Sequence, residues 1–206
     1  MKSAMLIASA ILLAYRVQSA ELPDSLFGGV VTFKLPSRWQ VQKHFTNQNS
    51  AEVLQILIPD PDTDNTPDSS NVGITAEKRQ PGTTLDDYKT RYAGRADRGF
   101  LTIKEIPAGK SWVSMLSHGM QRKTHYTVID RLGLDSDCFV AFRASCPLTT
   151  RKDKEWLLRF TTDCNAVIKS LKIGGKNIIT SELKLDLVND NVVIWLRDSK
   201  DPNKHF

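Results

Sequence analysis

The sequence has little of what usually identifies an enzyme. It contains no G-x-S-x-G turn to present a catalytic serine. Its glycine pairs match neither the Walker loop nor the G-x-G-x-x-G loop that binds phosphate. The sequence has four histidines, and no two of them are one helical turn apart, as the zinc ligands of the H-E-x-x-H type are. These absences exclude the motif-defined serine hydrolases, nucleotide-binding enzymes and zinc peptidases.

Long apolar runs are absent after the first twenty residues, and a helix that spans a bilayer needs about 20 apolar residues. At the start, Lys2 precedes an almost unbroken apolar run over residues 4–15, and small residues follow at Ser19 and Ala20. This order is typical of a secretory signal peptide. We therefore expect residues 1–20 to be removed during export. The alternative, an uncleaved anchor, is disfavoured because the run is short.

Export predicts a periplasmic or secreted protein with no stable membrane anchor after cleavage. No cysteine lies near the predicted cut, which excludes a bacterial lipoprotein anchor. Loss of Lys2 and Arg16 lowers the formal net charge from +5 to +3. This weak, diffuse positive charge argues against a nucleic acid partner, which would require a clustered basic face.

Cysteine is also scarce. Cys138 and Cys146 lie eight residues apart in one predicted strand, on the same face but too far apart to bond to each other. Cys164 lies in the helix that follows. We predict a Cys146–Cys164 disulfide, with Cys138 as the other possible partner of Cys164. The alternative is three buried thiols, since free cysteine packs as a small apolar residue.

The first half of the chain alternates apolar and polar residues in the manner of half-buried strands. The turn at residues 36–38 predicts a hairpin between the first two strands. A helix is predicted from Thr84, which can cap it, with Leu85, Tyr88 and Tyr92 on one face. The predicted strands cover residues 30–35, 39–45, 51–58 and 71–79.

The second half predicts four strands joined by tight turns, which favours an antiparallel meander. A long amphipathic helix is predicted over residues 154–173, followed by a terminal hairpin within 183–195. The chain thus reads as one α+β domain over residues 21–197 with a polar tail over 198–206. The four strands cover residues 101–106, 110–118, 123–132 and 137–146.

Three segments resemble exported proteins of the PsbP-like fold superfamily, including the DcrB-like bacterial periplasmic proteins. They are VTFKLPSRWQV from Val31, TTLDDYKTRY from Thr83 and KEWLLRFTTDCNAVIKSLKI from Lys154. The resemblance covers residues 30–173. It implies a PsbP-like α/β sandwich, an antiparallel sheet flanked by two main helices. It also implies a binding or assembly role rather than catalysis, and it marks no site residue.

A polar loop over residues 59–70 is the first candidate binding site, because its composition cannot bury a face. Its aspartate spacing is that of a calcium loop, but asparagines occupy the positions of the required glycine and glutamate. Its prolines also restrict the backbone. We therefore expect it to contact a partner rather than a metal, and a purely solvated loop is the alternative. The aspartates assigned to this contact are Asp60, Asp62, Asp64 and Asp68.

A basic face of the first helix is the second candidate. Arg91, Arg95 and Arg98 are spaced four and three residues apart, so they share one side of a helix. Such a side meets an acidic partner or lipid headgroups, although a solvated helix face is the common alternative.

Two histidines are the third candidate. His118 and His125 flank a predicted hairpin turn at residues 119–122, where cross-strand neighbours approach within about 5 Å. A paired site there would support an atypical hydrolase. Ser117 forms no dyad with His118, because adjacent strand residues point to opposite faces. Most strand histidines are exposed or hydrogen-bonded, so we expect no catalytic residue, no metal and no cofactor.

Together these patterns predict an exported, non-enzymatic binding or assembly module that recognises a protein partner in the cell envelope through the polar loop at residues 59–70 and one face of the sheet. A periplasmic immunity-type protein and the atypical hydrolase are the alternatives.

Overall fold

A computed structural model describes residues 25–62, 69–93, 100–107, 111–121, 124–149 and 151–176. Ten strands and two helices are present in these ranges. In chain order the strands are β1 (Ser25–Leu26), β2 (Val31–Thr32), β3 (Gln40–Thr46), β4 (Glu52–Leu57), β5 (Asn71–Lys78), β6 (Phe100–Pro107), β7 (Trp112–Gln121), β8 (Thr124–Leu134), β9 (Cys138–Pro147) and β10 (Lys172–Ile173). The helices are α1 (Leu85–Ala93) and α2 (Lys154–Ser170).

Seven strands form one antiparallel sheet in the order β3-β4-β5-β9-β8-β7-β6. The run from β6 to β9 is the predicted meander, and β5 joins its end by pairing with β9. Strands β1, β2 and β10 form a second, small antiparallel sheet. The predicted α+β fold class is thus confirmed.

Helix α2 covers one face of the large sheet. Val72, Ile74 and Ala76 alternate along β5 and point to the core on this face, as their spacing predicts. The predicted apolar side of α2 faces them, and Asp153 caps the helix by accepting a hydrogen bond from the Trp156 amide at 2.8 Å. The buried residues of α2 include Trp156, Leu157, Phe160, Cys164, Val167 and Ile168.

Helix α1 packs on the opposite face. Thr84 and Asp87 form the predicted N-terminal cap, since the Asp87 carboxylate accepts from the Thr84 amide at 2.7 Å. Tyr88 stacks on Phe139 of β9 with ring centroids 3.9 Å apart. The core here is small and belongs to β7, β8 and β9: Val113, Met115, Leu132, Leu134, Phe139 and Ala141. α1 therefore covers only one end of this face.

The predicted hairpin of residues 30–35 with 39–45 is wrong. The turn exists, because the Trp39 amide donates to the Pro36 carbonyl at 2.9 Å. However, β2 pairs with β1 and β10, whereas β3 pairs with β4. The chain crosses between the two sheets here, and the Lys34 amide is held by the Ser170 hydroxyl of α2 at 2.8 Å.

Two details also differ from the prediction, one within β3 and one at the end of the long helix. A register shift in β3 between Val41 and Lys43 moves Val41 to the α2 face, while Lys43 and Phe45 lie on the other face. The predicted long helix ends at Ser170, because Leu171 adopts extended dihedrals and β10 follows.

No helix within the described ranges is long and apolar enough to cross a membrane. The predicted signal peptide, terminal hairpin and polar tail lie outside the described residues, and so do residues 63–68 of the polar loop at 59–70, which we call the aspartate loop.

Candidate functional site

Over β3, β4 and β5, the face opposite α2 is covered by neither helix of the described part of the chain. Phe45 is its most exposed apolar residue, at 41%, and lies opposite the half-buried Val53. The cross-strand register puts nine side chains on this patch, which we call the open face. They are Gln40, Lys43, Phe45, Val53, Gln55, Leu57, Asn71, Gly73 and Thr75.

Strand β3 forms one edge of the large sheet, and its outer side pairs with no strand in the described part of the chain. The bulge near Lys43 and the lysine itself discourage unspecific pairing of this edge. Beyond the bulge, His44 is fixed by Glu52, with Nε2 and Oε1 2.6 Å apart. This contact ties the end of β3 to β4 next to Phe45, which lies at the corner of the open face.

The aspartate loop begins with a buried ion pair. The ammonium group of Lys152 is 0% exposed; it contacts the Asp62 carboxylate and lies 3.3 Å from Asp60 Oδ1. Asp62 also accepts from the Thr149 hydroxyl at 2.7 Å, and Asp60 accepts from the Ser70 amide at 2.7 Å. These contacts tie both ends of the loop to the connection between β9 and α2.

The pair explains the charge state of Asp62. Burial alone would raise the pKa of its carboxyl, but hydrogen bonds from Lys152 and Thr149 outweigh that effect and lower it. The carboxylates of Asp60 and Asp62 are therefore engaged inside the protein. Asp64 and Asp68 lie outside the described residues, so the predicted partner contact of the loop stays a prediction.

A cleft of about 130 Å³ lies beside this pair, between the turn before β3 and the first half of α2. Trp156 and Phe160 stack along its wall with centroids 5.1 Å apart, and Arg38 forms an ion pair with Asp163 across it. Ligand pockets usually measure about 300–1,000 Å³. The cleft is therefore large enough for one side chain and too small for a typical cofactor.

The predicted basic face of α1 is partly neutralised. Arg91 donates to Glu77 at 2.7 Å and lies over the Tyr88 ring, and Lys89 donates to Glu105 at 2.8 Å. Arg95 and Arg98 lie outside the described residues. The partner role of this cluster remains a prediction.

The two candidate histidines share one face of the β7–β8 hairpin. His118 lies opposite Thr127, and His125 lies two residues before it, which makes the histidines diagonal neighbours. Residues 119–121 of the predicted turn belong to β7, which ends at Gln121, and β8 begins at Thr124. His118 Nδ1 lies 2.9 Å from Thr127 Oγ1, but Thr127 is buried, with 1% of the residue exposed. The hydrolase hypothesis is untested.

The predicted Cys146–Cys164 disulfide is not formed: Cys138, Cys146 and Cys164 are all free and buried. As predicted, Cys138 and Cys146 face the same side of the sheet, in the core beneath α2. Burial raises the pKa of Cys138 and Cys146 to about 12, and that of Cys164 well above its usual value. Thiolate is the species that forms disulfides, so these thiols are poorly reactive.

Two features were missed from the sequence. A sheet face was expected to take part in binding, but the strands and residues of the open face were not identified, because its Gln, Thr and Asn residues are typical of any solvated strand. Lys152 was not identified either, since its partners Asp60 and Asp62 lie 90 or more residues away in the chain. The signal that was available is the pair of aspartates at the very start of the loop, next to buried β4.

No family model and no curated protein matches the chain. Among solved structures, the chain is similar to LpqN, a protein involved in cell envelope biogenesis of Mycobacterium tuberculosis. The TM-score is 0.50 at 10% identity, over 69% of this chain and 82% of LpqN. A protein from Bacteroides thetaiotaomicron VPI-5482 matches at a TM-score of 0.39 and 15% identity, over 71% of this chain and 46% of its own.

The LpqN likeness shows a shared fold. It agrees with the antiparallel sheet and flanking helices implied by the PsbP-like resemblance, while no family model identifies the DcrB-like proteins as relatives.

Proposed function

We propose that this protein is an exported, non-enzymatic binding module that recognises a protein partner in the cell envelope through the open face. The observation that carries this proposal is the half of the sheet that no described helix covers, with Phe45 exposed at its corner.

The composition of the open face favours a protein partner. Only Lys43 among its nine residues is charged. Interface cores are depleted in charge, and aromatic side chains supply much of their binding energy. A nucleic acid would need a cluster of cations instead. The adjoining edge of β3 adds backbone groups that an extended segment of a partner can pair with.

Location in the envelope is supported by two independent facts. The first twenty residues have the pattern of a signal peptide. The fold is shared with LpqN, whose role is in cell envelope biogenesis. Export predicts that the intact mass of the native protein corresponds to a chain beginning at Ala20 or Glu21.

The test compares Phe45→Glu with Leu158→Glu, which changes an equally exposed apolar residue on α2, 47% exposed. Tagged proteins are used to capture partners from a solubilised envelope fraction, and the captured protein is then purified and titrated against each variant. We expect Phe45→Glu to weaken binding at least about tenfold, the effect of losing an aromatic anchor.

Leu158→Glu should bind like the wild type. Equal binding by all three proteins would remove the open face from the account. Binding that is weakened equally by both changes would place the contact elsewhere.

A further inference from the structure

Arg131 of β8 lies on the α2 face of the sheet and is 0% exposed. Its Nη1 donates to the Ser114 hydroxyl of the neighbouring strand at 2.9 Å, and its guanidinium lies over the Trp112 ring, 4.7 Å from the centroid. Nε and Nη2 of Arg131 have no hydrogen-bond acceptor among the described residues, nor has Nε1 of Trp112. Three buried N–H donors of one small cluster therefore have no acceptor in the part of the chain that the structure describes.

Two other arginines of the chain show which acceptors Nε and Nη2 of a guanidinium bind in this protein. Nε and Nη2 of Arg143 donate to the two carboxylate oxygens of Asp130, at 2.7 and 2.9 Å. Nε and Nη2 of Arg79 both donate to the carbonyl oxygen of Thr83, at 3.1 and 2.8 Å. Nε and Nη2 form the side-on fork of a guanidinium, which matches a carboxylate or phosphate edge.

The charge of Arg131 also has no counter-ion among the described residues. Burial is the one cause that acts on it, and it lowers the pKa of Arg131 to about 10. Arg143, by contrast, has a raised pKa, because Asp130 outweighs the effect of its burial. A buried cation without a counter-ion is costly, so proteins pair such groups or bind an anion to them. Ser114 contacts Arg131 through Nη1 and Trp112 contacts the guanidinium plane, and neither residue carries a negative charge.

We propose that Arg131 is the anchor of a ligand site for an oxyanion, either a carboxylate or a phosphate group of a small molecule. The two oxygens would accept from Nε and Nη2 of Arg131, as the Asp130 carboxylate does at Arg143. The site lies on the opposite face of the sheet from the open face, so it is independent of the proposed protein contact.

The first test uses ¹⁵N-labelled protein and follows the Nε–H signals of Arg131 and Arg143 by NMR, assigned with an Arg131→Lys spectrum. Acetate, octanoate and inorganic phosphate are added separately at constant ionic strength. We expect at least one of them to shift the Arg131 signal saturably, while the Arg143 signal stays in place because Asp130 already occupies its fork. The anion that acts identifies the ligand class.

The second test measures Tm in the same solutions, because a ligand that binds the folded state raises Tm whatever its route of entry. Wild type and Arg91→Met, which removes a cation from the surface, should respond alike. Arg131→Met should not respond, and Arg131→Lys should bind about tenfold more weakly, since lysine lacks the fork. The proposal is overturned if no anion shifts the Arg131 signal, or if Arg131→Met responds like the wild type.

Discussion

The ammonium group of Lys152 is buried against two carboxylates, Asp60 and Asp62, and it joins the aspartate loop to the start of α2. We expect Lys152→Met to lower the free energy of unfolding by about 3 kcal/mol, because it leaves buried carboxylates without a counter-ion. Urea denaturation measures the change. Lys154→Met, at an exposed position two residues away, is the control and should alter stability by less than about 0.5 kcal/mol. Equal losses in the two variants would contradict a special role for Lys152.

The same pair predicts a pH dependence. The pKa of Asp62 is lowered in the folded state, so its pairing stabilises the protein above the unfolded pKa of about 3.9. That contribution is lost as the pH falls through the folded pKa. Between pH 5 and pH 2, the wild type should therefore lose more stability than Lys152→Met. Parallel curves for the two proteins would show that the pair does not carry this dependence.

A count of free thiols distinguishes the three thiols of the structure from the disulfide predicted from the sequence. Three free thiols should react with a thiol reagent when the native protein is unfolded in guanidinium without reductant. None should react readily before unfolding, since burial raises the pKa of each thiol. A count of one thiol would instead establish the disulfide that the sequence predicted.

At the scale of elements, periodicity was a reliable guide where one face is buried by the chain's own core. The buried alternation of Val72, Ile74 and Ala76 predicted β5, and the spacing from Trp156 to Ile168 predicted α2. Pairing partners were less predictable, since alternation in residues 30–35 does not reveal which sheet receives them. The bulge in β3 was equally hidden, because one extra residue reverses the facing of every residue after it.

Gly133 shows how a glycine can mislead. A glycine directly after the predicted strand 123–132 indicates a turn. Gly133 instead lies inside β8, opposite Trp112 of β7. A Cβ at this position would be 2.5 Å from the Trp112 ring, so the glycine makes room for the indole. We expect Gly133→Ala to destabilise the protein by about 1–3 kcal/mol through overpacking.

The matched control is Gly73→Ala on β5, where a Cβ would meet only Leu54 O at 3.6 Å, an ordinary contact. Thermal unfolding of both variants checks the prediction. If both alanines are tolerated equally well, the Trp112 ring does not require the glycine.

At the scale of the whole molecule, the sequence predicted the α+β class and the meander, whereas the candidate site required the three-dimensional arrangement. Helix α1 is too short to cover the face on which it lies, and only the strand order shows which half of that face the two described helices leave uncovered. The open face joins β3, β4 and β5, and Phe45 is distinguished from its neighbours by its position at the edge. No local pattern in the sequence carries that information.

The most direct test is photo-crosslinking in cells that make the exported protein. A photoreactive phenylalanine analogue replaces Phe45, Gln55 or Leu158, and irradiated envelopes are analysed for covalent adducts. The account predicts one discrete adduct with the same protein from positions 45 and 55, and none from position 158. Adducts from position 158 alone, or none from the open face, would contradict it.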